Sequence, residues 1–161
     1  DDDIHFLFVG EGAEKSSMIR LAKELNATNT HFIDRQSRND IPRYWGLCDV
    51  GLVHLKNDPV FETVIPSKIF ETMATGRPII YSGPESDGSN LIRKYVAGLV
   101  VPPERPELLA QKVLELRDNR RLYESLASNG LRASPLFSRE RQSKDTIEVL
   151  RLAMQGRSKK L

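Results

Sequence analysis

Cysteine is nearly absent from this sequence: Cys48 is the only one among 161 residues. A disulfide framework within one chain is excluded, and the usage fits a reducing compartment. Cys48 sits between Leu47 and Asp49, just before an apolar run, and reads as a small packed residue. No stretch approaches the roughly 20 apolar residues of a membrane-spanning helix. The opening Asp-Asp-Asp lacks the basic start of a secretory signal, so none is expected. Neither sign of charge dominates, since 24 Lys and Arg against 22 Asp and Glu leave a formal charge of +2. That balance does not single out nucleic acid as a partner. Basic residues gather only at Arg157, Lys159 and Lys160, where a solvated, frayed terminus is expected. Ten glycines and nine prolines are spread along the chain, and no low-complexity segment or repeat is found. With 39% hydrophobic and 29% charged residues, the chain reads as one globular domain with room for a core.

Short apolar runs alternate with helical patterns. The runs predict strands at 4–9, 31–33, 50–55, 79–81 and 98–101. Between them lie expected helices at 13–25, 40–48, 66–75 and from Ser89 or Asn90 to Tyr95. Met18, Ala22 and Leu25 share a face of the first, and Tyr44, Leu47 and Cys48 turn inward in the second. Pro66 is placed at the first position of the third, where its missing N–H costs nothing. Helices at 105–118, 120–130 and 138–155 complete the chain, with Asn129-Gly130 and Ser134-Pro135 as breaks. Ile147, Leu150 and Met154 share a face of the last. This alternation predicts an α/β fold: a Rossmann-like parallel sheet with helices on both faces. Ligands of such sheets bind beyond the carboxyl ends of the strands, which singles out residues 10–12, 34–39, 54–66 and 82–88.

Gly10-Glu11-Gly12 is a Gly-x-Gly between strand and helix, but the third glycine of the dinucleotide fingerprint is replaced by Lys15. A ligand-free tight turn is the favoured reading. Asp1 and Asp3 form an Asp-x-Asp, but they precede the first strand on the wrong edge of the sheet, so no metal site is expected. His5 and His31 read as packing residues. The region 54–75 is more informative. A long loop feeds a helix whose free N–H groups and dipole face the ligand edge and suit a diphosphate. Ile69, Phe70, Met73 and Ala74 are expected inside, with Ser67, Lys68, Glu71 and Thr75 on the opposite face. Lys68 is a cation in a first turn, where the dipole disfavours it. An anionic ligand or a Lys68–Glu71 surface pair would each account for it. His54 and Lys56 end the third strand and reach the same crevice.

The stretch Pro66-Ser67-Lys68-Ile69-Phe70-Glu71-Thr72-Met73-Ala74-Thr75-Gly76-Arg77-Pro78-Ile79-Ile80 resembles the signature of family 4 retaining glycosyltransferases. The likeness extends through Asp49-Val50-Gly51-Leu52-Val53, Phe8-Val9-Gly10-Glu11-Gly12 and Ala97-Gly98-Leu99-Val100-Val101-Pro102-Pro103. The wording around Val53-His54-Leu55-Lys56 and Ile65-Pro66-Ser67-Lys68 looks like the bacterial surface-polysaccharide branch. The resemblance implies the C-terminal half of a GT-B fold, binding a nucleotide-sugar donor, with a UDP-sugar favoured and no metal or other cofactor. It implies that Glu71 accepts the ribose hydroxyls and that Pro66, Ser67 and Lys68 face the diphosphate. It puts Glu62, Thr63 and Ile65, in the loop before the helix, near the sugar and Arg35 near the base; His54 joins the candidate donor-binding residues from its place at the end of the third strand. It also implies an N-terminal acceptor domain elsewhere in the protein, a saccharide or lipid-linked acceptor, and a cytoplasmic location peripheral to the membrane's inner face. Where the family carries a sugar-binding glutamate this chain has Thr63, with Glu62 one residue away. The family's first strand, helix and Arg/Lys pair are also missing, so residues 1–161 read as a single domain cut at its N-terminal edge. A GT-B epimerase and a non-catalytic nucleotide-binding scaffold are the alternatives.

Overall fold

A computed structural model describes residues 3–158, with side chains as far as residue 155. Asp1 and the terminal Lys159 and Lys160 lie outside the described residues, as does the Arg157 side chain. The chain divides into two compact units, residues 1–48 and 49–161.

In the first unit β1 (Phe6–Val9) and β2 (Thr30–Ile33) pair in parallel, with Phe6 opposite Thr30 and Val9 opposite Ile33. The helix α1 (Lys15–Glu24) connects them and α2 (Ile41–Leu47) follows. Phe8 and Phe32 stack across the strands at 5.3 Å. Two expectations fail here. Leu47 is 74% exposed rather than inward, because α2 ends at that residue and Cys48 is already extended. Leu25 is 69% exposed and lies beyond the last turn of α1. His5 and His31 are not packing residues either. Both are exposed, and their rings hydrogen-bond Nδ1 to Nε2 at 3.0 Å.

In the second unit β3 (Gly51–His54), β4 (Ile79–Ser82) and β5 (Gly98–Val101) form a parallel sheet in sequence order. Helices α3 (Ser67–Ala74), α4 (Asp87–Tyr95), α5 (Pro106–Asp118) and α6 (Arg120–Ala133) cover it, and α7 (Arg139–Ser158) follows. Every residue of β4 is buried, as a central parallel strand requires. The period of two sorts its side chains between two cores. Ile79 and Tyr81 pack with Ile69, Met73, Ile92 and Ala133, from α3, α4 and α6. Ile80 packs on the other side with Leu116 and Leu126, from α5 and α6. Each fully buried aliphatic contributes about 1.5–3 kcal/mol.

The fit of α3 onto the sheet is close. Thr72 is fully buried, and a Cβ on Gly51 would overlap its side chain. The inward face of α3 is therefore Ile69, Thr72 and Met73, with Ala74 exposed where burial was expected. Gly130 does not break α6. It is buried, and a Cβ there would meet Met73 and Ala97 at 3.5 Å, so a small residue lets α6 approach α3. On α7 Ile147, Leu150 and Met154 are 49, 58 and 71% exposed.

Candidate functional site

The carboxyl edge of the three-stranded sheet is built around the end of β3. His54 closes that strand opposite Ser82 of β4, and the Leu55 N–H donates to the Ser82 carbonyl at 2.8 Å. The chain then leaves the sheet. The Asn57 N–H donates to Glu104 Oε1 at 3.4 Å, and Asp58 Oδ1 accepts from the Val60 N–H at 2.9 Å to start a 3-10 turn, Pro59–Phe61. The Asp87 N–H, at the start of α4, donates to the Glu62 carbonyl at 3.3 Å. These contacts deliver an extended Pro66, with ψ 133°, to the first turn of α3.

Pro66 is thus the cap position and not the first helical residue: its extended ψ keeps it outside the helix. A proline offers no side-chain acceptor, so no side chain caps α3, and its first turn contains no acid. The N–H groups of Ser67 and Lys68 point off the end of the helix toward the sheet's carboxyl edge. Ser67, Lys68, Glu71 and Thr75 are all exposed, on the face expected for them. The Lys68–Glu71 pair is not formed. Ser67 Oγ instead donates to Glu71 Oε1 at 3.1 Å, and among the described residues the Lys68 ammonium has no hydrogen bond or ion pair. His54 is exposed at its strand end, and partial desolvation of its ring, followed by the Lys68 charge, pushes the imidazole below the ordinary histidine pKa.

The predicted site residues fall in two places. His54, Glu62, Thr63, Ile65, Pro66, Ser67, Lys68 and Glu71 belong to the second unit, at the end of β3, on the segment after it, or in the first turns of α3. Glu62 and Thr63 are exposed, and Glu62 is tethered by its carbonyl, not its carboxylate. Arg35 belongs to the first unit. It is exposed, and its N–H donates to Glu11 Oε1 at 3.4 Å.

Two features escaped the sequence reading. Lys15, the residue in place of the third glycine, folds back over the Gly-x-Gly turn. Its ammonium donates to the Gly10 carbonyl at 3.0 Å, to Glu11 Oε1 at 3.2 Å and to Asp34 Oδ1 at 2.6 Å. The Lys15 hydrogen bond holds the Asp34 carboxyl below its usual range, and Asp34 raises Lys15 in turn. The turn is filled by the chain's own charges, and the i, i+4 spacing of Glu11 and Lys15 was the available signal. The second feature is the start of α4. Ser86, not Ser89 or Asn90, is its cap, because Ser86 is the residue held extended. Ser86 Oγ accepts from the Ser89 N–H at 3.2 Å, and the Ser86 N–H donates to Ser89 Oγ at 2.9 Å. The Tyr81 hydroxyl hydrogen-bonds Ser86 Oγ at 2.9 Å, and Glu85 is clamped by Arg93 through two short bonds of 2.5 and 2.6 Å.

Among the described residues no three His, Cys, Asp or Glu side chains gather closely enough to hold a metal. Of the Asp1 and Asp3 pair, Asp1 lies outside the described residues. No described helix is long and apolar enough to cross a membrane.

Comparison with known proteins adds a family. The sequence pattern described as glycosyl transferases group 1 matches residues 1–133. An uncharacterized glycosyltransferase of Methanocaldococcus jannaschii is 25% identical over 141 residues, covering 88% of this chain and 38% of that one. A Bacillus subtilis protein named as a teichuronic acid biosynthesis glycosyltransferase is 30% identical over 78 residues, covering 48% and 19%. Among solved structures, sucrose-phosphate synthase from Thermosynechococcus elongatus superposes with a TM-score of 0.79 at 23% identity, covering 93% of this chain and 38% of that one. The Anabaena protein HepE in complex with UDP gives 0.71 at 18%, covering 91% and 40%. These likenesses share the α/β architecture of parallel strands with helices on both sides. The chain spans well under half the length of the curated relatives it matches.

Proposed function

Since this chain belongs to the glycosyltransferase group 1 family, we propose that it is the donor-binding part of a retaining GT-B glycosyltransferase, with a nucleotide sugar's diphosphate at the N-terminus of α3. The observation that carries this reading is the first turn of α3. It is uncapped, free of acid, and bears Lys68, a cation with no ion pair among the described residues. A diphosphate would accept from the Ser67 and Lys68 N–H groups and be offset by the Lys68 charge. One turn along, Ser67 holds the Glu71 carboxylate, which is then ready to accept two ribose hydroxyls. Ile65 and Pro66 stand next to the diphosphate, on the sugar's side of it.

The chemistry asked of these residues is electrostatic. As the bond from the anomeric carbon to the diphosphate oxygen lengthens, negative charge grows on the leaving group. The helix end and Lys68 stabilise it without a metal. The sugar becomes oxocarbenium-like, and the departing oxygen assists the acceptor on the same face. A UDP-sugar is the favoured donor, hexosyl or N-acetylhexosaminyl, in line with solved complexes of HepE with UDP and UDP-glucose. The name of the Bacillus relative supports a surface-polysaccharide setting. There the acceptor would be a saccharide or a lipid-linked one met at the inner face of the membrane. An acceptor domain supplies the orientation that makes transfer fast. Residues 1–161 by themselves are therefore expected to bind nucleotide weakly and to turn over nothing.

Thr63, standing where the family has a sugar-binding glutamate, favours a second reading as a non-catalytic nucleotide-binding scaffold. Titration of UDP, GDP and ADP against wild type and Glu71→Ala tests the nucleotide site on which both readings rest. Preferential UDP binding that weakens in Glu71→Ala is expected. Equal affinity in the two proteins overturns the ribose assignment. Failure to bind any nucleotide overturns the donor-site reading.

A further inference from the structure

The segment that carries Glu62, Thr63 and Ile65 has little of its own to hold it. It runs from the end of the 3-10 turn to Pro66, and Val64 and Ile65 are 38 and 39% exposed, so apolar burial does not anchor it. Its own turn supplies two hydrogen bonds, from the Glu62 N–H to the Pro59 carbonyl at 3.1 Å and from the Val64 N–H to the Phe61 carbonyl at 3.4 Å. Among the described residues one hydrogen bond ties it to another element, from the Asp87 N–H to the Glu62 carbonyl at 3.3 Å. Asp87 is the first residue of α4, where an N–H has no partner inside the helix and is ordinarily left to water. The next residue, Gly88, is buried, and a Cβ on it would meet Ile69 Cδ1 at 3.2 Å and Pro66 Cδ at 3.5 Å. It would also meet the Ser86 hydroxyl at 3.4 Å, which is already committed to the Ser89 N–H and the Tyr81 hydroxyl. The first turn of α4 thus touches both ends of the segment, the carbonyl of residue 62 and the ring of residue 66.

We infer that Asp87 and Gly88 are positioning residues for the sugar side of the donor site. The first acts by its backbone N–H and the second by having no side chain, and together they hold residues 62–66 in place before a donor arrives. The inference rests on the reading proposed above, in which a nucleotide sugar turns its sugar toward this segment. A loop ordered in advance loses less freedom on binding, so the group that touches it is bound more tightly. The nucleotide meets Ser67, Lys68 and Glu71 instead, on a helix that Ile69, Thr72 and Met73 fix to the sheet without help from Asp87. Release of the Asp87 bond is therefore felt by the sugar and not by the nucleotide. The Asp87 carboxylate takes no part, since that side chain is exposed and the bond is made by the backbone.

Two substitutions separate the N–H from the carboxylate. Asp87→Ala and Asp87→Pro both remove the acid, and only the proline removes the N–H. Proline suits the first position of a helix, and Ser86 before it is already extended, with φ −157° and ψ 171°, as a residue preceding proline needs to be. Backbone NMR relaxation of the free proteins reads the segment directly. The Thr63 and Ile65 amides should gain nanosecond motion in Asp87→Pro and keep wild-type values in Asp87→Ala. UDP-glucose and UDP are then titrated against each protein. UDP-glucose affinity should fall about two- to tenfold in Asp87→Pro against Asp87→Ala, the worth of one hydrogen bond, with UDP affinity the same in both. A merely structural role would lower the two affinities together. An equal fall for both ligands, or none for either, overturns the positioning role and leaves the donor site standing. So do Thr63 and Ile65 amides that stay as rigid as in Asp87→Ala. If the wild type binds neither ligand, the donor reading falls and the inference with it. Should Asp87→Pro not fold, Gly88→Ala takes its place: the added methyl presses on Pro66, and UDP-glucose affinity should again fall further than UDP affinity.

Discussion

Two helices start at the same edge of the same sheet, α3 after β3 and α4 after β4, and their first turns are built in opposite ways. The start of α4 is closed. Ser86 and Ser89 satisfy each other's backbone, Asp87 complements the dipole, and Tyr81 pins the cap from below. The start of α3 has a proline in the cap position, a lysine in the first turn and no acid. A missing cap costs about 1 kcal/mol, and a misplaced cation a few tenths more. Within one fold the two sites differ in what finishes them. The closed end is completed by the protein, whereas the open one has no such completion among the described residues, which is why the proposed anion is placed there.

That contrast can be broken from either side. The largest effect is expected at the open end. If Glu71 holds the ribose as proposed, Glu71→Ala removes a hydrogen bond to a charged group, worth about 1.5–3 kcal/mol. Nucleotide affinity should fall about 10- to 100-fold by calorimetry, with the melting temperature unchanged. At the closed end Ser86→Ala removes the cap and one of the two partners of the Tyr81 hydroxyl, the Pro84 carbonyl remaining. A stability loss of about 1–2 kcal/mol in urea unfolding is expected, with nucleotide affinity retained. If affinity falls as well, the two ends are not independent.

Installing the closed design at the open end should invert its behaviour. Pro66→Asp supplies the missing cap, so stability should rise by about 0.5–1 kcal/mol. The carboxylate would then occupy the anion's place, and nucleotide binding should weaken; stronger binding would contradict an anion site there. The smallest effect is on acid stability. His54 has a lowered value in the folded chain, so the unfolded chain protonates first as pH falls below the ordinary histidine range. Stability is lost through that window, and the loss levels off once pH passes the folded value. Urea midpoints at pH 7.5 and 5.5 should differ more in wild type than in His54→Asn.

The strands and most helices were legible because β4 and its neighbours are short, continuous apolar runs between turn residues. The exposed face of α3 was legible for the same kind of reason, since Ser67, Lys68, Glu71 and Thr75 follow helical spacing. What escaped depended on contacts between distant residues. Thr72 was passed over as an inward residue because its hydroxyl looks polar. In place it donates to the Lys68 carbonyl at 2.7 Å and needs nothing else. Gly130 read as a helix break, whereas its role is set by Met73 and Ala97, remote in sequence. Ser86 was hidden among the polar residues of 82–88, where several could cap and only the backbone decides. Lys15 was noticed for the glycine it replaces and not for the carboxylates it gathers.

The close approach of α3 to β3 also limits how this sequence can change over time. Gly51 and Thr72 share one small volume, since a Cβ on the first overlaps the side chain of the second. Neither position can drift to a larger residue by itself without lifting the helix, and with it the Ser67–Lys68 end, away from the sheet. A larger residue at 51 therefore calls for a smaller one at 72.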